Sequence, residues 1–388
     1  MTRTAHVLTA ILALSAPFAI AQTSGPVAYI YVSSNYSGSN NRVAGYAASA
    51  DGKLTEISGS PWADNLTYLA NNGTYLYGST NIASDNGKNV FSYRIESNGA
   101  LKYIGANNIQ VTSSENACNS AQNLTLDHTG SYLYVLADDA DDCNPYGAYQ
   151  SFAVNKSTGL LKYLGVTLPE GWYQSPLTVL ADNDYAYSQN GAEADEICGY
   201  SKASSGNLVI LDNNDVCKSA AIGTEGQPSG SNGDWGLVAA DPTNHMAATM
   251  IYSDASNGAY IDTKIATIAV NTANGSQSTT STYANMPDTD TQVSALTMAP
   301  SGKLLAAGGS NGIQIFNFNA TGQATRNTGL ITNMNVTAMF WDNNNHLYAI
   351  SKADNTLRVF TVTPTGFEES PGSPYSIPHP VALTGHPM

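Results

Sequence analysis

A unit of short apolar runs separated by turns recurs along this chain, and it constrains the fold more than any other feature. Its clearest copy spans Val293–Gln323, where turns such as AlaProSerGly at 299–302 divide three apolar runs and a weaker fourth. Runs of about four to six residues with Gly or Pro at each corner are too short for helices and are typical of an antiparallel meander. One such sheet leaves a face unburied, so the copies must stack.

Two series of turns count the copies. Inner turns such as Asn72-Gly73 occur six times, because Ala28–Ser34 in the first copy resembles a second strand of the unit. A first strand for that copy is present at Pro380–Gly385. The outer hairpin turns contain seven glycines: Gly52, Gly99, Gly159, Gly206, Gly275, Gly322 and Gly366.

These counts predict an all-β fold, a single seven-bladed β-propeller of four-stranded antiparallel blades over residues 22–388. The C-terminal strand is expected to pair with the N-terminal blade, because an open ring would leave unpaired strand edges. A closed ring of repeats counts as one domain whatever its length.

Residues 1–21 have the pattern of a secretory signal peptide. Arg3 precedes the apolar run Val7–Ala16, Pro17 follows it, and Ala19-Ile20-Ala21 places small residues where a signal peptidase reads. We expect cleavage after Ala21 and a secreted or periplasmic protein. Since no later stretch reaches about 20 apolar residues, no membrane span is predicted.

The charge balance excludes some partners. Lys plus Arg number 15 against 30 Asp plus Glu, for a net charge of −15. Nucleic acid and anionic membrane surfaces would be repelled. We expect a monomer that meets an extracellular or periplasmic protein or a carbohydrate ligand.

The long insertions all fall on one face of the predicted ring. If the strands of a blade are lettered A to D from the centre outward, the short A–B and C–D turns share one face. B–C loops and inter-blade links share the other. Insertions that grow on one face indicate a binding face, although drift is the alternative. They are Asn81–Asn89, Asp138–Gly147, Gln189–Cys198 and Ser253–Thr263 between B and C, and Gln110–Ala121 and Val216–Trp235 between blades.

The four cysteines lie among these insertions and allow three pairings. Only Cys118 with Cys143 and Cys198 with Cys217 keep each bond inside one blade, so those disulfides are predicted for an exported chain. A zinc site is disfavoured because no CysxxCys pair exists.

Polar residues just ahead of the inner strands are predicted to ring the channel entrance. Amides and carboxylates can hydrogen-bond hydroxyls or hold a hard cation, and a water-filled pore is the alternative. The ring is Asp64, Gln122, Gln174, Asp234, Gln292, Asn335 and His379. Trp62, Trp172, Tyr173 and Trp235 occur near the same positions and could bind sugar or protein, with blade packing as the alternative.

Three further patterns are weaker indications of a catalytic or metal site. The GxSxG pattern at Gly308–Gly312 lies between strands B and C and is interpreted as a turn, because a serine hydrolase needs a strand-to-helix elbow. Asp138, Asp139 and Asp141 could hold Ca²⁺ but lack the spacing of a calcium loop, so a solvated loop is favoured and no cofactor is expected. His128, His245 and His346 are interpreted as polar turn residues.

Several motifs resemble those of the seven-bladed propellers of the lactonase or YVTN-repeat type, which include the 6-phosphogluconolactonase-like proteins. They are AYIYVSS at 28–34, GKLTEISGSPW at 52–62, SYLYVL at 131–136, LRVFTV at 357–362 and ESPGSPY at 369–375. The resemblance implies the propeller fold and, as an activity, lactone hydrolysis. Enzymes of this type usually carry a ProHis-x-His run and an AspLeuGly-x-Asp run. This sequence has Pro378-His379-Pro380 and no AspLeuGly.

Two function hypotheses follow. The favoured one is an exported binding module that uses the face with the long loops. The alternative is a hydrolase of a neutral sugar lactone, with His379 or Asp234 as general base. Binding is favoured because the family's His and AspLeuGly runs are missing and because His379 has only prolines beside it in sequence.

Overall fold

A computed structural model of the protein describes residues 25–35, 41–62, 65–80, 89–109, 120–138, 147–168, 175–190, 196–211, 219–363 and 365–388. The predicted signal peptide therefore lies outside the described residues.

The described residues form 29 strands and no helix. The chain starts with β1 (Ala28–Asn35), β2 (Asn41–Ala48) and β3 (Leu54–Glu56). Blade 2 contains β4 (Tyr68–Asn71), β5 (Tyr75–Ser79), β6 (Asn89–Ile95) and β7 (Leu101–Asn108). Blade 3 contains β8 (Ser120–Leu126), β9 (Tyr132–Asp138), β10 (Ala148–Val154) and β11 (Leu161–Thr167). Blade 4 contains β12 (Thr178–Val179), β13 (Tyr185–Asn190), β14 (Glu196–Lys202) and β15 (Leu208–Ile210). Blade 5 contains β16 (Ser231–Ala240), β17 (His245–Asp254), β18 (Tyr260–Val270) and β19 (Gln277–Ser278). Blade 6 contains β20 (Val293–Met298), β21 (Leu304–Gly309), β22 (Gly312–Asn317) and β23 (Thr325–Leu330). Blade 7 contains β24 (Ala338–Trp341), β25 (His346–Ser351), β26 (Thr356–Thr363), β27 (Gly366–Glu369) and the short β28 (Tyr375–Ser376). The final strand, β29 (Pro380–Pro387), belongs to blade 1.

The seven antiparallel sheets are arranged as a ring. Their innermost strands contact one another in the order β29, β4, β8, β12, β16, β20 and β24, and β24 returns to β29. The core lies between blades, as seven clusters of buried residues with one at each blade interface. The seven-bladed propeller predicted from the turn count is confirmed.

The predicted closure is also confirmed. Strand β29 pairs with β1 from Ala28 opposite Pro387 to Ser34 opposite Pro380, with one irregularity between Ser33 and Ser34. Blade 1 thus takes its A strand from a segment that follows all the other blades. Strand β1 is thus paired on both sides, with β29 and with β2, and has no open edge.

Four of the seven outer-turn glycines, Gly99, Gly159, Gly206 and Gly275, pack against a Tyr of the preceding blade. Five of the seven have positive φ, whereas Gly322 and Gly366 do not. At Gly159, φ is +76° and a Cβ would lie 2.4 Å from the ring of Tyr75, the first Tyr of YLY in blade 2. The hydroxyl of the second Tyr, Tyr77, donates to Gly159 O at 3.1 Å. The same first-Tyr packing occurs for Tyr29 on Gly99, Tyr132 on Gly206 and Tyr185 on Gly275. The same second-Tyr bond joins Tyr31 to Gly99 O and Tyr187 to Gly275 O.

Inner turns are linked around the ring as well. The side chain of Asn72 in blade 2 donates to Gly130 O in blade 3 at 3.2 Å. His128 N donates to Asn183 Oδ1 at 2.7 Å, and Asp182 N donates to Asn244 Oδ1 at 3.0 Å. We call the side with the A–B and C–D turns the turn face and the opposite side the loop face.

Blade 5 departs from the predicted insertions. The segment 253–263 is mostly strand, because β17 continues to Asp254 and β18 starts at Tyr260. In the segment 216–235 the last five residues are paired, because β16 starts at Ser231. Blade 5 therefore extends its A, B and C strands toward the loop face, where the sequence predicted loops.

Candidate functional site

Part of the predicted site lies outside the described residues. This applies to Asp64, Gln174, Trp172, Tyr173, Asp139 and Asp141. Asp138 ends β9, and its side chain is not described. Among the described residues, no group of three His, Cys, Asp or Glu is arranged to hold a metal ion.

The remaining ring residues lie on the loop face, near the start of the inner strands. His379 and Gln292 immediately precede β29 and β20, and both are exposed, as is Asn335 ahead of β24. Gln122 and Asp234 lie inside β8 and β16 and are half-buried. No hydrogen bond joins Gln122, Gln292, Asn335 and His379 to one another. These four residues lie in separate blades, and no acid–base pair forms among them.

The geometry at His379 is that of a turn residue. Its φ is +42° and its backbone N–H donates to Asn355 Oδ1 at 2.7 Å. Asn355 immediately precedes β26, so this bond fixes the approach of the chain to β29. A general base needs a second group that orients its ring. The hydrogen bonds of the described residues contain none for the His379 imidazole.

The two described tryptophans of the predicted aromatic surface, Trp62 and Trp235, belong to different inter-blade cores. Trp62 packs against Gly45 and Ile57 at the interface of blades 1 and 2. Trp235 is 6% exposed and belongs to the core between blades 4 and 5. The structure does not bring these two residues together into one aromatic surface.

The GxSxG segment is a tight hairpin between strands B and C. Ser310 and Asn311 connect β21 to β22 directly. A Cβ on Gly309 would lie 1.8 Å from Gln292 O, and one on Gly312 would lie 1.8 Å from Thr332 O. The glycines are therefore required by close backbone approach. The prediction of a turn is confirmed.

Cys198 is the one cysteine in the described part of the chain. It lies in β14, is 1% exposed and is not a free thiol. Positions 118, 143 and 217 lie outside the described residues, so the two disulfide pairings stay predictions.

A cleft of about 380 Å³ opens on the loop face between blades 4 and 5. Strand β16 supplies Gly233 and Trp235, and β17 supplies Met250 and Tyr252. The alternation of a strand directs the intervening Asp234 to the other side of the sheet. The rest of the wall comes from the start of β14 and from the link that leads to β16: Glu196, Ser219, Ala220, Ala221, Ile222, Thr224 and Gln227.

Polar atoms without partners among the described residues occur at Tyr252, in the blade 5 wall of this cleft, and at Asp262, which stands opposite Tyr252 on β18. Tyr252 is 1% exposed, and neither its hydroxyl nor Asp262 Oδ1 makes a hydrogen bond with any described residue. Burial, with a smaller effect of Asp262, raises the pKa of Tyr252 to about 12. The Tyr252 hydroxyl is therefore protonated at neutral pH. Burial also raises the pKa of Glu196 above its ordinary value.

A second cleft, of about 350 Å³, lies on the turn face between blades 2 and 3. Its polar atoms are largely engaged in building turns. Asn72 Oδ1 accepts from the backbone of Thr74 and Tyr75, and Asp127 Oδ1 accepts from that of Ser131 and Tyr132. We therefore place the candidate site in the loop-face cleft.

Comparison with known proteins locates the fold among solved structures. No protein-family model matches the chain, and no curated protein matches it. Candidate 6-phosphogluconolactonases from Bacteroides fragilis and Bacteroides uniformis are similar to it, with TM-scores of 0.62 and 0.60 at 16% and 15% identity. The similarity covers 94% of this chain in both cases, and 99% and 100% of those chains.

The periplasmic gluconolactonase of Pseudomonas aeruginosa is similar with a TM-score of 0.58 and 16% identity, over 92% of this chain and 99% of that one. The chain has the fold of the lactonase-like propellers. At these identities the likeness shows the fold alone. Within the described residues, no helix that could cross a membrane is found.

A buried polar network in blade 7 went unpredicted. His346, interpreted from the sequence as a polar turn residue, is 1% exposed. Its Nδ1 lies 2.7 Å from Asp342 Oδ2, which also accepts from the Tyr348 hydroxyl at 2.9 Å. The three side chains are buried on the turn side and satisfy one another's hydrogen bonds, so they stabilise the blade. The spacing Asp-x-x-x-His, which recurs at Asp241 and His245, could have indicated this network.

Proposed function

We propose that this protein is an exported binding module and that the loop-face cleft between blades 4 and 5 takes a neutral, hydroxyl-rich ligand such as a carbohydrate. The observation that carries the proposal is the wall of that cleft. It combines the apolar surface of Trp235 and Met250 with a buried hydroxyl that no described residue engages. Ligand sites typically pair an apolar wall with a few convergent polar groups.

Charge supports a neutral ligand. Glu196 lines the cleft, and the chain carries a net charge of −15. No Lys or Arg is among the residues that line this cleft in the described part of the chain. Anionic phosphosugars are usually held by Arg or Lys, so a neutral sugar fits this chemistry better.

The test measures, by ligand-observed NMR, whether the protein binds any member of a panel of neutral hexoses, pentoses and aldonolactones. Ala221 is exposed at the cleft rim, so Ala221→Trp should fill the cleft without disturbing the core. We expect it to weaken binding by about tenfold or more, as loss of a central contact region does. Lys156→Trp, at the turn-face cleft, is the matched control and should leave the affinity unchanged. If no compound of the panel binds the parent protein, the proposal is wrong.

Export has its own measurement. Mass spectrometry of the protein recovered from the medium or periplasm should give a mature chain that begins at Gln22. Intact residues 1–21 in that fraction would contradict cleavage after Ala21.

A second candidate function is hydrolysis of a neutral sugar lactone. It is supported by the likeness to the Pseudomonas gluconolactonase and by Glu196, whose raised pKa suits a general base or acid better than an ordinary carboxylate. The measurement is pH-stat turnover of glucono-1,5-lactone above its spontaneous rate, with and without calcium. Loss of turnover in Glu196→Gln, Asp234→Ala or His379→Ala would identify the base. No turnover above background would exclude this activity for that lactone.

A further inference from the structure

Two orphan polar atoms lie on the same side of blade 5. Tyr252 on β17 stands opposite Asp262 on β18, and residues directly opposite in an antiparallel pair project to the same side of the sheet. The Tyr252 hydroxyl and Asp262 Oδ1 are both shielded from solvent, and neither has a hydrogen-bond partner among the described residues. Buried polar groups in folded proteins are nearly always hydrogen-bonded. A third group is therefore expected to engage these two atoms.

The second oxygen of Asp262 is already engaged. The Tyr283 hydroxyl donates to Asp262 Oδ2 at 2.7 Å, and the Tyr283 ring packs edge-on against Tyr252 with centroids 4.8 Å apart. Lys264 Nζ lies 4.3 Å from the centroid of the Tyr283 ring and pairs with Asp288. This arrangement holds the carboxylate in place and leaves Oδ1 as its unengaged acceptor.

The cleft approaches this pair from the Tyr252 side. Tyr252 lines it, and its neighbour across the β16–β17 ladder is Gly233. A Cβ at Gly233 would lie 2.7 Å from Tyr252 Cε1, so the Tyr252 ring packs directly on the Gly233 backbone where the two residues line the cleft. A ligand in the cleft would therefore lie beside Tyr252.

We propose that Tyr252 Oη and Asp262 Oδ1 form a subsite that recognises one hydroxyl group of the ligand. This inference rests on the proposed function of the cleft and specifies which ligand group it reads. A hydroxyl is both a donor and an acceptor, so it accepts from Tyr252 while it donates to Asp262. A carbonyl or an ether oxygen satisfies only Tyr252, and an ammonium group satisfies only Asp262.

The experiment compares Tyr252→Phe with the parent protein against the best-binding neutral sugar of the panel and its monodeoxy analogues. The variant removes one oxygen and keeps the ring that packs on Tyr283. We expect one deoxy analogue to bind the parent about tenfold more weakly, since a site built for a hydroxyl rejects an analogue without it. Tyr252→Phe should bind the sugar and that analogue with equal affinity. Asp262→Asn should likewise lose the difference in affinity between the sugar and that analogue.

Tyr260→Phe is the matched control, because Tyr260 lies on the same blade, is 43% exposed and is absent from the cleft lining. It should bind like the parent. Thermal unfolding of each variant establishes that the fold is intact.

The outcomes separate the two proposals. If Ala221→Trp abolishes sugar binding while Tyr252→Phe binds like the parent, the cleft binds sugar and the hydroxyl subsite is wrong. If no sugar binds the parent, both are wrong. A crystal structure of the sugar complex gives an independent readout: a sugar oxygen within hydrogen-bond distance of both atoms supports the subsite, and a water retained there overturns it.

Discussion

The two faces of the ring differ in how their polar atoms are used. On the turn face, side chains of one blade fill or bond the turns of the next, as Tyr75 and Tyr77 do at Gly159. On the loop face between blades 4 and 5, the Tyr252 hydroxyl and Asp262 Oδ1 are left without partners among the described residues. The contrast teaches that neighbouring blades satisfy each other's polar atoms at these turns, whereas this part of the loop face keeps two buried polar atoms that no described residue engages. Because such atoms are costly to bury, they mark the part of the ring where a ligand is expected.

The largest predicted effect compares two glycines with similar backbone angles. Gly159 has φ of +76° and Gly258 has φ of +69°. A Cβ at Gly159 would lie 2.4 Å from Tyr75, whereas one at Gly258 meets nothing within 4 Å. Gly258→Ala should lower the free energy of unfolding by about 1 kcal/mol through backbone strain alone. Gly159→Ala should lower it by about 3 kcal/mol, because overpacking adds to the strain.

Urea unfolding of both glycine variants is the measurement. Equal losses for the two substitutions would show that the packing of Tyr75 adds nothing to backbone strain, and the comparison of the faces would lose its main support.

The next effect concerns the tyrosine hydroxyls. Tyr187→Phe removes a 2.6 Å hydrogen bond to Gly275 O and leaves that carbonyl buried without this donor. The free energy of unfolding should therefore fall by about 1 kcal/mol. Tyr134, at the equivalent position of blade 3, is equally buried, but its hydroxyl has no bond to Gly206 O. Tyr134→Phe is therefore the matched control and should be close to neutral in the same urea titration. A larger loss at Tyr134 would contradict the assignment.

The smallest effect is a pH dependence at His386, on the turn-face end of β29. Burial lowers the pKa of His386 in the folded protein below the ordinary value of about 6.5. Between the two pKa values the unfolded chain binds more protons than the folded one, so stability falls as pH drops below about 6.5 and is unaffected above it. His386→Gln should have a shallower loss of Tm on acidification than the parent. Parallel profiles would show that this histidine does not contribute.

Much of the fold could be predicted from the sequence because its determinants are local. Hairpin turns at the outer glycines and the Ala28–Ser34 run specify where strands begin and end, and the missing inner turn indicates the closure through β29. The repeated Tyr-x-Tyr motif was visible in the sequence, but its role was not, because Tyr77 acts on Gly159 in the next blade.

The candidate site was harder to predict because it depends on register and burial. Opposition of Tyr252 and Asp262 requires the β17–β18 ladder to continue through a segment that looks like an insertion. The burial of His346 depends on Asp342, which is four residues away. The residue type alone does not distinguish His346 from the exposed His128. For the polar residues ahead of the inner strands, the sequence predicts the loop face but not the direction of each side chain. A shift of one residue reverses the side of the sheet to which a strand residue points.

The pairing of β29 with β1 also bears on how the protein is made. During synthesis β1 leaves the ribosome early, and its inner edge has no neighbour until every other blade has been produced. An unpaired edge of this kind can pair with another chain, and contacts between distant segments form slowly. Blade 1 is thus the place where nascent chains are most exposed to misassembly and where a chaperone would have most to protect.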